Sequence, residues 1–157
     1  MQPGALKSYT HSIGDPTVGF ASFDGNALIA GLRPMYQTLE SLELTTWAGG
    51  DFDDADNMIP SLKSFTGLKK LTLDFDLLGT FDDSRRPVNL LPPNIRHLHI
   101  EAGLMVSDAE RPNEMLIEVV NGLKSLKVLQ ISQTPQPDTV FPKWLRSCCA
   151  TAGVSLI

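Results

Sequence analysis

Apolar positions return along this chain in a fixed phrase: one anchor, two residues, a second anchor, one residue, a third anchor. The phrase reads Leu39-Glu-Ser-Leu42-Glu-Leu44, then Leu68-Lys-Lys-Leu71-Thr-Leu73. It returns as Ile95-Arg-His-Leu98-His-Ile100 and as Leu126-Lys-Val-Leu129-Gln-Ile131. The starts fall at 39, 68, 95 and 126, giving steps of 29, 27 and 31 residues. Weaker copies flank these four. Leu6-Lys-Ser-Tyr9-Thr-His11 keeps two anchors with His11 in the third place, and Thr151-Ala-Gly-Val154-Ser-Leu156 keeps the last two. One such phrase is easily met by chance in a leucine-rich chain, whereas four in register signal a stacked supersecondary unit.

Within each phrase the last two anchors alternate with polar residues, as one face of a strand requires. Between phrases the period lengthens to that of a helix. Ala27, Leu28, Leu32 and Met35 predict a helix before the first strong strand. Met58, Ile59, Leu62 and Phe65 predict one before the second, with Asp56 or Asn57 as N-cap and Pro60 in its first turn. Leu116, Val119, Val120 and Leu123 predict another, stopping at Gly122. Pro142, Leu145, Cys148 and Cys149 predict a last short helix. Residues 80–94 hold three prolines and no helical period, so an extended loop is expected there.

The period is close to the ~20–29 residues of leucine-rich repeats, a class that includes longer, irregular members. The expected fold class is α/β: a leucine-rich-repeat solenoid, or arc. A parallel sheet of about five to six short strands would line its concave side, with helices and loops on the convex side. The chain, residues 1–157, reads as a single domain.

Composition narrows the function. Hydrophobic content of 42% with 20% charged residues is ordinary for a globular chain. A formal charge of −5, with thirteen Lys and Arg scattered along the sequence, argues against nucleic acid or an anionic membrane as partner. The first residues hold no apolar signal-peptide core, and no stretch approaches the ~20 apolar residues that span a bilayer. The cysteines are the adjacent pair Cys148 and Cys149, which supply no disulfide framework. A reducing compartment, cytoplasmic or nuclear, is expected.

Gly67-Leu68-Lys-Lys-Leu71-Thr-Leu73, Gly122-Leu-Lys-Ser-Leu126-Lys-Val-Leu129-Gln-Ile131 and the proline-led Leu91-Pro-Pro-Asn-Ile95-Arg-His-Leu98-His-Ile100 resemble the irregular leucine-rich repeats of F-box-type proteins. The stretch from Thr17 through Phe23 and Leu28 into Thr38-Leu39-Glu-Ser-Leu42-Glu-Leu44 is similar to the repeat region of the fungal F-box/leucine-rich-repeat families. In that family an N-terminal F-box docks to a cullin-type ubiquitin ligase through an adaptor, and the repeats hold the substrate. The resemblance therefore implies substrate recognition. No F-box stands ahead of Leu6, so the chain is expected to be a fragment or truncated solenoid, a recognition arc without its effector.

Strand alternation names the residues facing away from the anchors. They are Ser41, Glu43 and Thr45; Lys70, Thr72 and Asp74; His97, His99 and Glu101; Val128, Gln130 and Ser132. Ser8 and Thr10 extend the set. This polar face is the expected surface for a protein partner, with Trp47 in the following loop as a candidate anchor. A solvated sheet face without a partner is the bland account of the same residues. The chain is expected to break no bond, to need no cofactor and to hold no metal.

His97, His99 and Glu101 also share one strand face, with Asp74 on the neighbouring strand. That arrangement carries the alternative of a metal-binding protein or metal-dependent enzyme. Same-face residues stand ~6–7 Å apart, workable for two histidines and stretched for three, so a polar ladder is the simpler account. Asp51 to Asn57 form an acidic loop that lacks the glycine and glutamate of a calcium loop; acids ahead of a helix N-terminus explain it better. Asp82 and Asp83 beside Arg85 and Arg86 read as a solvated loop with local charge pairing. No nucleophile elbow, P-loop or dinucleotide fingerprint is present. Cys148 lies at helical spacing from Leu145 and reads as core. A gene fragment without autonomous function is a further alternative. The apolar end Val154-Ser-Leu156-Ile157 is expected as an exposed edge strand, open to self-association.

Overall fold

The computed structural model describes residues 5–13, 24–46, 58–74, 77, 86–101, 110–132 and 141–157. Six strands build one sheet, all parallel and in chain order: β1 (Ser8–Ile13), β2 (Ser41–Thr46), β3 (Lys70–Asp74), β4 (His97–Glu101), β5 (Val128–Ile131) and β6 (Ser155–Leu156). The helices of the described residues are α1 (Gly25–Leu32), α2 (Pro87–Leu90), α3 (Glu110–Gly122) and α4 (Lys143–Ala152), with a 3-10 turn at Arg33–Met35. None of the helices in these residues is long and apolar enough to cross a membrane.

Each strong phrase maps onto a strand in the same way. The first anchor lies in the turn before the strand, and the strand begins two residues later. Register then sets the second anchors of the first five phrases abreast: Tyr9, Leu42, Leu71, Leu98 and Leu129. The last phrase is corrected by two residues, because Leu156, expected as its third anchor, pairs with Leu129. The third anchors, His11, Leu44, Leu73, Ile100 and Ile131, form a parallel column. Leu39, Leu42, Leu44, Leu68, Leu71, Ile95 and Leu129 are all 0% exposed, so the columns are the core itself. Fully burying one such side chain is worth about 1.5–3 kcal/mol, which makes the columns the main source of cohesion.

The strand order grows in one direction only. Parallel crossovers are right-handed in nearly all cases, so connections that always step the same way return on the same sheet face. The anchors and the helices therefore share one face, and the alternate residues occupy the other.

A backbone device repeats at the start of each strand. The carbonyl of Lys7 accepts from the amides of both Glu40 (2.8 Å) and Ser41 (3.0 Å). The carbonyl of Glu40 does the same for Lys69 and Lys70, that of Lys69 for Arg96 and His97, and that of Arg96 for Lys127 and Val128. The Lys127 carbonyl takes the amide of Ser155. These shared acceptors lock successive units at one strand spacing, and they explain why the phrase returns in register although the connecting segments differ.

The helices follow their sequence signals with instructive exceptions. Asp24 caps α1, its carboxylate accepting from the Ala27 amide at 2.9 Å. The inward side of α1 is Ile29 and Leu32, with Leu28 half-buried; Ala27, expected inward, is exposed. The 13-residue α3 buries Leu116, Val119 and Val120 and ends at Gly122. Pro142 opens α4, and Gly153 closes it at φ 69°, a left-handed conformation that glycine adopts freely. In α4 it is Cys149 that is buried, while Cys148 is half-buried with its Sγ 4.0 Å from Asn121 Oδ1.

Two expected elements are corrected. No helix forms over 58–66, although Met58, Ile59, Leu62 and Phe65 are buried as that period implies. Pro60 lacks an amide hydrogen and disfavours helical geometry at Ile59. The chain instead makes successive three-residue turns, Phe65 N to Leu62 O (3.0 Å) and Leu68 N to Phe65 O (3.1 Å). The Ile59 and Leu62 amides reach across to the carbonyls of Leu77 and Leu90. Conversely, part of the expected loop 80–94 is helical. The four-residue α2 begins with Pro87, suited to a first helical position, and buries Pro87 and Leu90, with the next residue, Leu91, also buried. Residues 80–85 lie outside the described residues, as do Trp47 and the acidic loop 51–57. Arg86 reaches beyond its own loop, its Nη1 lying 2.7 Å from Glu118 Oε1 on α3.

Candidate functional site

The face opposite the anchors carries three rows of side chains, one row per alternate strand position. The first row is Ser8, Ser41, Lys70, His97, Val128 and Ser155. The second is Thr10, Glu43, Thr72, His99 and Gln130. In the third, Ser12 pairs with Thr45 and Asp74 with Glu101. Neighbours along a row stand one strand spacing apart, ~4.8 Å. All fourteen residues expected at the partner surface thus lie on one side of one sheet, with Ser132 immediately after β5.

They are not equally available. Ser41, Glu43, Thr45, His97, His99, Glu101 and Gln130 are half-buried, and Lys70 and Ser132 are exposed. Thr72 and Asp74 are only 4% and 3% exposed. Alternation places these two on the polar face, but β3 lies between longer side chains on both sides: Glu43 and His99 flank Thr72. A partner would meet Lys70 and the flanking residues, with the middle of β3 below them. Thr72 and Asp74, both expected at the partner surface, are thus nearly covered by their neighbours.

Diagonal hydrogen bonds tie β4 to β5. His97 Nε2 lies within hydrogen-bonding distance of Gln130 Oε1, at 3.3 Å. His99 Nε2 lies 2.7 Å from Ser132 Oγ. At the opposite edge Thr45 Oγ1 donates to Ser12 Oγ at 3.4 Å. The two imidazoles are thus turned toward hydroxyl and amide groups on the next strand. Among the described residues no three His, Cys, Asp or Glu side chains come together as a metal-binding set. On α4, burial pushes both thiols, Cys148 and Cys149, above their ordinary value, which favours the protonated and less nucleophilic form.

Burial holds the His99 imidazole below its ordinary value of 6.5; the nearby charge of Glu101 opposes this, and His97 and Lys70 add to it. The sign follows from linkage. The unfolded chain takes the proton first, so this contribution to stability is complete above pH 6.5 and is lost as the pH falls through the lower folded value. The expected outcome is a drop in urea midpoint between about pH 8 and about pH 5 that is smaller in His99→Gln. Parallel pH profiles of the two proteins would refute the assignment.

A second set of residues was not singled out by alternation. The second position of the first five phrases is charged: Lys7, Glu40, Lys69, Arg96 and Lys127. These are the residues whose carbonyls lock the units together, so their side chains form a column along the rim where the strands start. Glu40 bridges Lys7 at 2.7 Å and Lys69 at 2.9 Å. Hydrogen bonds from those two ammonium groups, Lys7 foremost, lower its carboxyl from 4.5 to about 2. The signal for this column was a charge at a fixed phrase position, visible once the phrases are stacked.

Comparison of the chain with family models, curated proteins and solved structures finds no match.

Proposed function

We propose that this chain is a leucine-rich-repeat arc that holds a protein partner on its polar sheet face and breaks no bond. One observation carries the reading: six parallel strands in chain order set the variable, non-anchor residues side by side in three rows. A stacked parallel sheet buries its anchors for stability and leaves the alternate positions free to vary, which is the logic of solenoid recognition surfaces. The resemblance of the phrases to F-box-type repeats points to the substrate-recognition part of a ubiquitin ligase receptor, working in the cytoplasm or nucleus. Self-association is part of the partner reading, because β1 and β6 are the sheet's edges and Leu6 and Ile157 stand exposed beside them.

The test is recovery from native extract with wild-type protein and with the double variant Glu43→Arg, His97→Ala. Both residues are half-buried on the face. Asp74 is left intact because its burial would make a substitution report on folding. The expected result is at least about a tenfold loss of the proteins recovered by wild type, the size of effect that loss of a contact centre produces. The exposed helix variant Lys143→Ala should retain them. Equal recovery by wild type and the double variant would overturn the reading.

A further inference from the structure

The column at the strand starts has an uneven charge. Four of its five members are basic, although the chain as a whole carries −5. Glu40 engages Lys7 and Lys69. Arg96 and Lys127, next in the column, have no carboxylate partner among the described residues. The thirteen basic residues are scattered in sequence, but folding gathers these into one line.

A cleft of about 340 Å³ opens beside that line, at the small end of the range for ligand sites. Gln37, Glu40, Thr66, Lys69, Arg96 and Ser125 line it. Two hydrogen bonds hold the lining segments: the Asn94 side-chain Nδ2 donates to the Thr66 carbonyl at 3.0 Å, and the Gly67 backbone amide donates to the Tyr36 carbonyl at 3.0 Å. The lining is rich in donors: a guanidinium, an ammonium, two hydroxyls and the two amides of Gln37 and Asn94. A planar guanidinium without a carboxylate partner presents a fork that fits a carboxylate or phosphate by two parallel hydrogen bonds.

We propose that this cleft binds the carboxylate side chains of an acidic protein segment, with Arg96 making the two-pronged contact and Lys69 and Lys127 flanking it. A nucleic acid fits less well. A phosphate backbone needs a continuous basic stripe, and Glu40 interrupts this one. Glu40 acts as an internal competitor that occupies Lys69 while the cleft is empty. The rim is distinct from the three-row face, so this proposal stands or falls independently of the reading of that face.

The experiment is isothermal titration calorimetry with a hexaglutamate peptide, and with inorganic phosphate and a single-stranded oligonucleotide as separate probes. Wild type should bind the peptide with an affinity that weakens as salt rises. Arg96→Ala should weaken binding at least about tenfold, the scale of one charge-assisted contact, and Arg96→Lys should restore part of it. Glu40→Gln should tighten binding about threefold or more by releasing Lys69 and removing a like charge. Because the Arg96 backbone rather than its side chain locks the units, these variants should keep the wild-type circular dichroism. Four outcomes would overturn the assignment: no peptide binding, equal binding by Arg96→Ala, weaker binding by Glu40→Gln, or oligonucleotide binding tighter than peptide binding. Binding of inorganic phosphate without the peptide would also overturn it, leaving a site for a small free anion.

Discussion

Replacing Leu71 with alanine is expected to lower the unfolding free energy by about 2–5 kcal/mol. Leu71 is 0% exposed and stands in register between Leu42 and Leu98. The cost depends on whether neighbours can move into the vacated space. Here they are held on both sides by the ladder and by the shared carbonyls of Glu40 and Lys69, so the cavity should persist and the upper half of that range is expected. Against a total of about 5–15 kcal/mol for a typical domain, this is a large share. Lys70→Ala, one residue away and pointing to the other face, should change stability by no more than about 0.5 kcal/mol. Urea unfolding midpoints of the three proteins test this. A Leu71→Ala midpoint close to that of wild type would mean that the anchor columns do not hold the sheet together.

The second large effect is at Gly67. A Cβ there would lie 2.5 Å from the Gln37 carbonyl oxygen and 3.1 Å from that of Leu39, both backbone atoms. Neither can swing away as a side chain would. Gly67→Ala should therefore cost about 1–3 kcal/mol, as overpacking does. Gly31 in α1 offers the contrast: a Cβ there meets nothing within 4 Å. Gly31→Ala should instead stabilise by about 0.4–1 kcal/mol, because alanine restricts the unfolded chain. Thermal melts that move in opposite directions for the two alanines would support the close approach of 37–39 to 67. A neutral Gly67→Ala would contradict it. That approach has a functional consequence, since it sets Gln37 beside Thr66 in the wall of the strand-start cleft.

The strands were legible because the phrase combines two independent constraints. The anchors Leu42 and Leu44 must share a face, and the first anchor Leu39 must fill the turn before the strand. The same holds at Leu68, Ile95 and Leu126. The segments between phrases were less legible, because burial every third or fourth residue has more than one structural cause. Over Leu116 to Leu123 it marks a helix; over Met58 to Phe65 it marks a run of turns, and Pro60 is the residue that separates the two cases. The short helix at Pro87 was hidden because one turn contains too few positions to show a period.

The polar face was legible in direction and not in depth. Alternation places Thr72 and Asp74 on it correctly. Their burial depends on how far Glu43, His99 and Glu101 extend from adjacent strands, and a single strand's sequence does not contain that. The charged column was present in the sequence at the second place of the first five phrases. Charge counted along the chain looks scattered; charge counted by phrase position shows Lys7, Lys69, Arg96 and Lys127 in line. Stacking turns a position in the phrase into a position in space, and that step links the sequence to both candidate surfaces.

The central claim is that the polar sheet face holds the partner and the helical face does not. Site-specific photo-crosslinking tests it most directly, with a photoreactive side chain placed at Glu43 on β2 in one protein and at the exposed Arg146 on α4 in another. The account predicts a crosslinked partner from native extract at position 43 and none at position 146. The reverse pattern, a partner captured from 146 and not from 43, would contradict it.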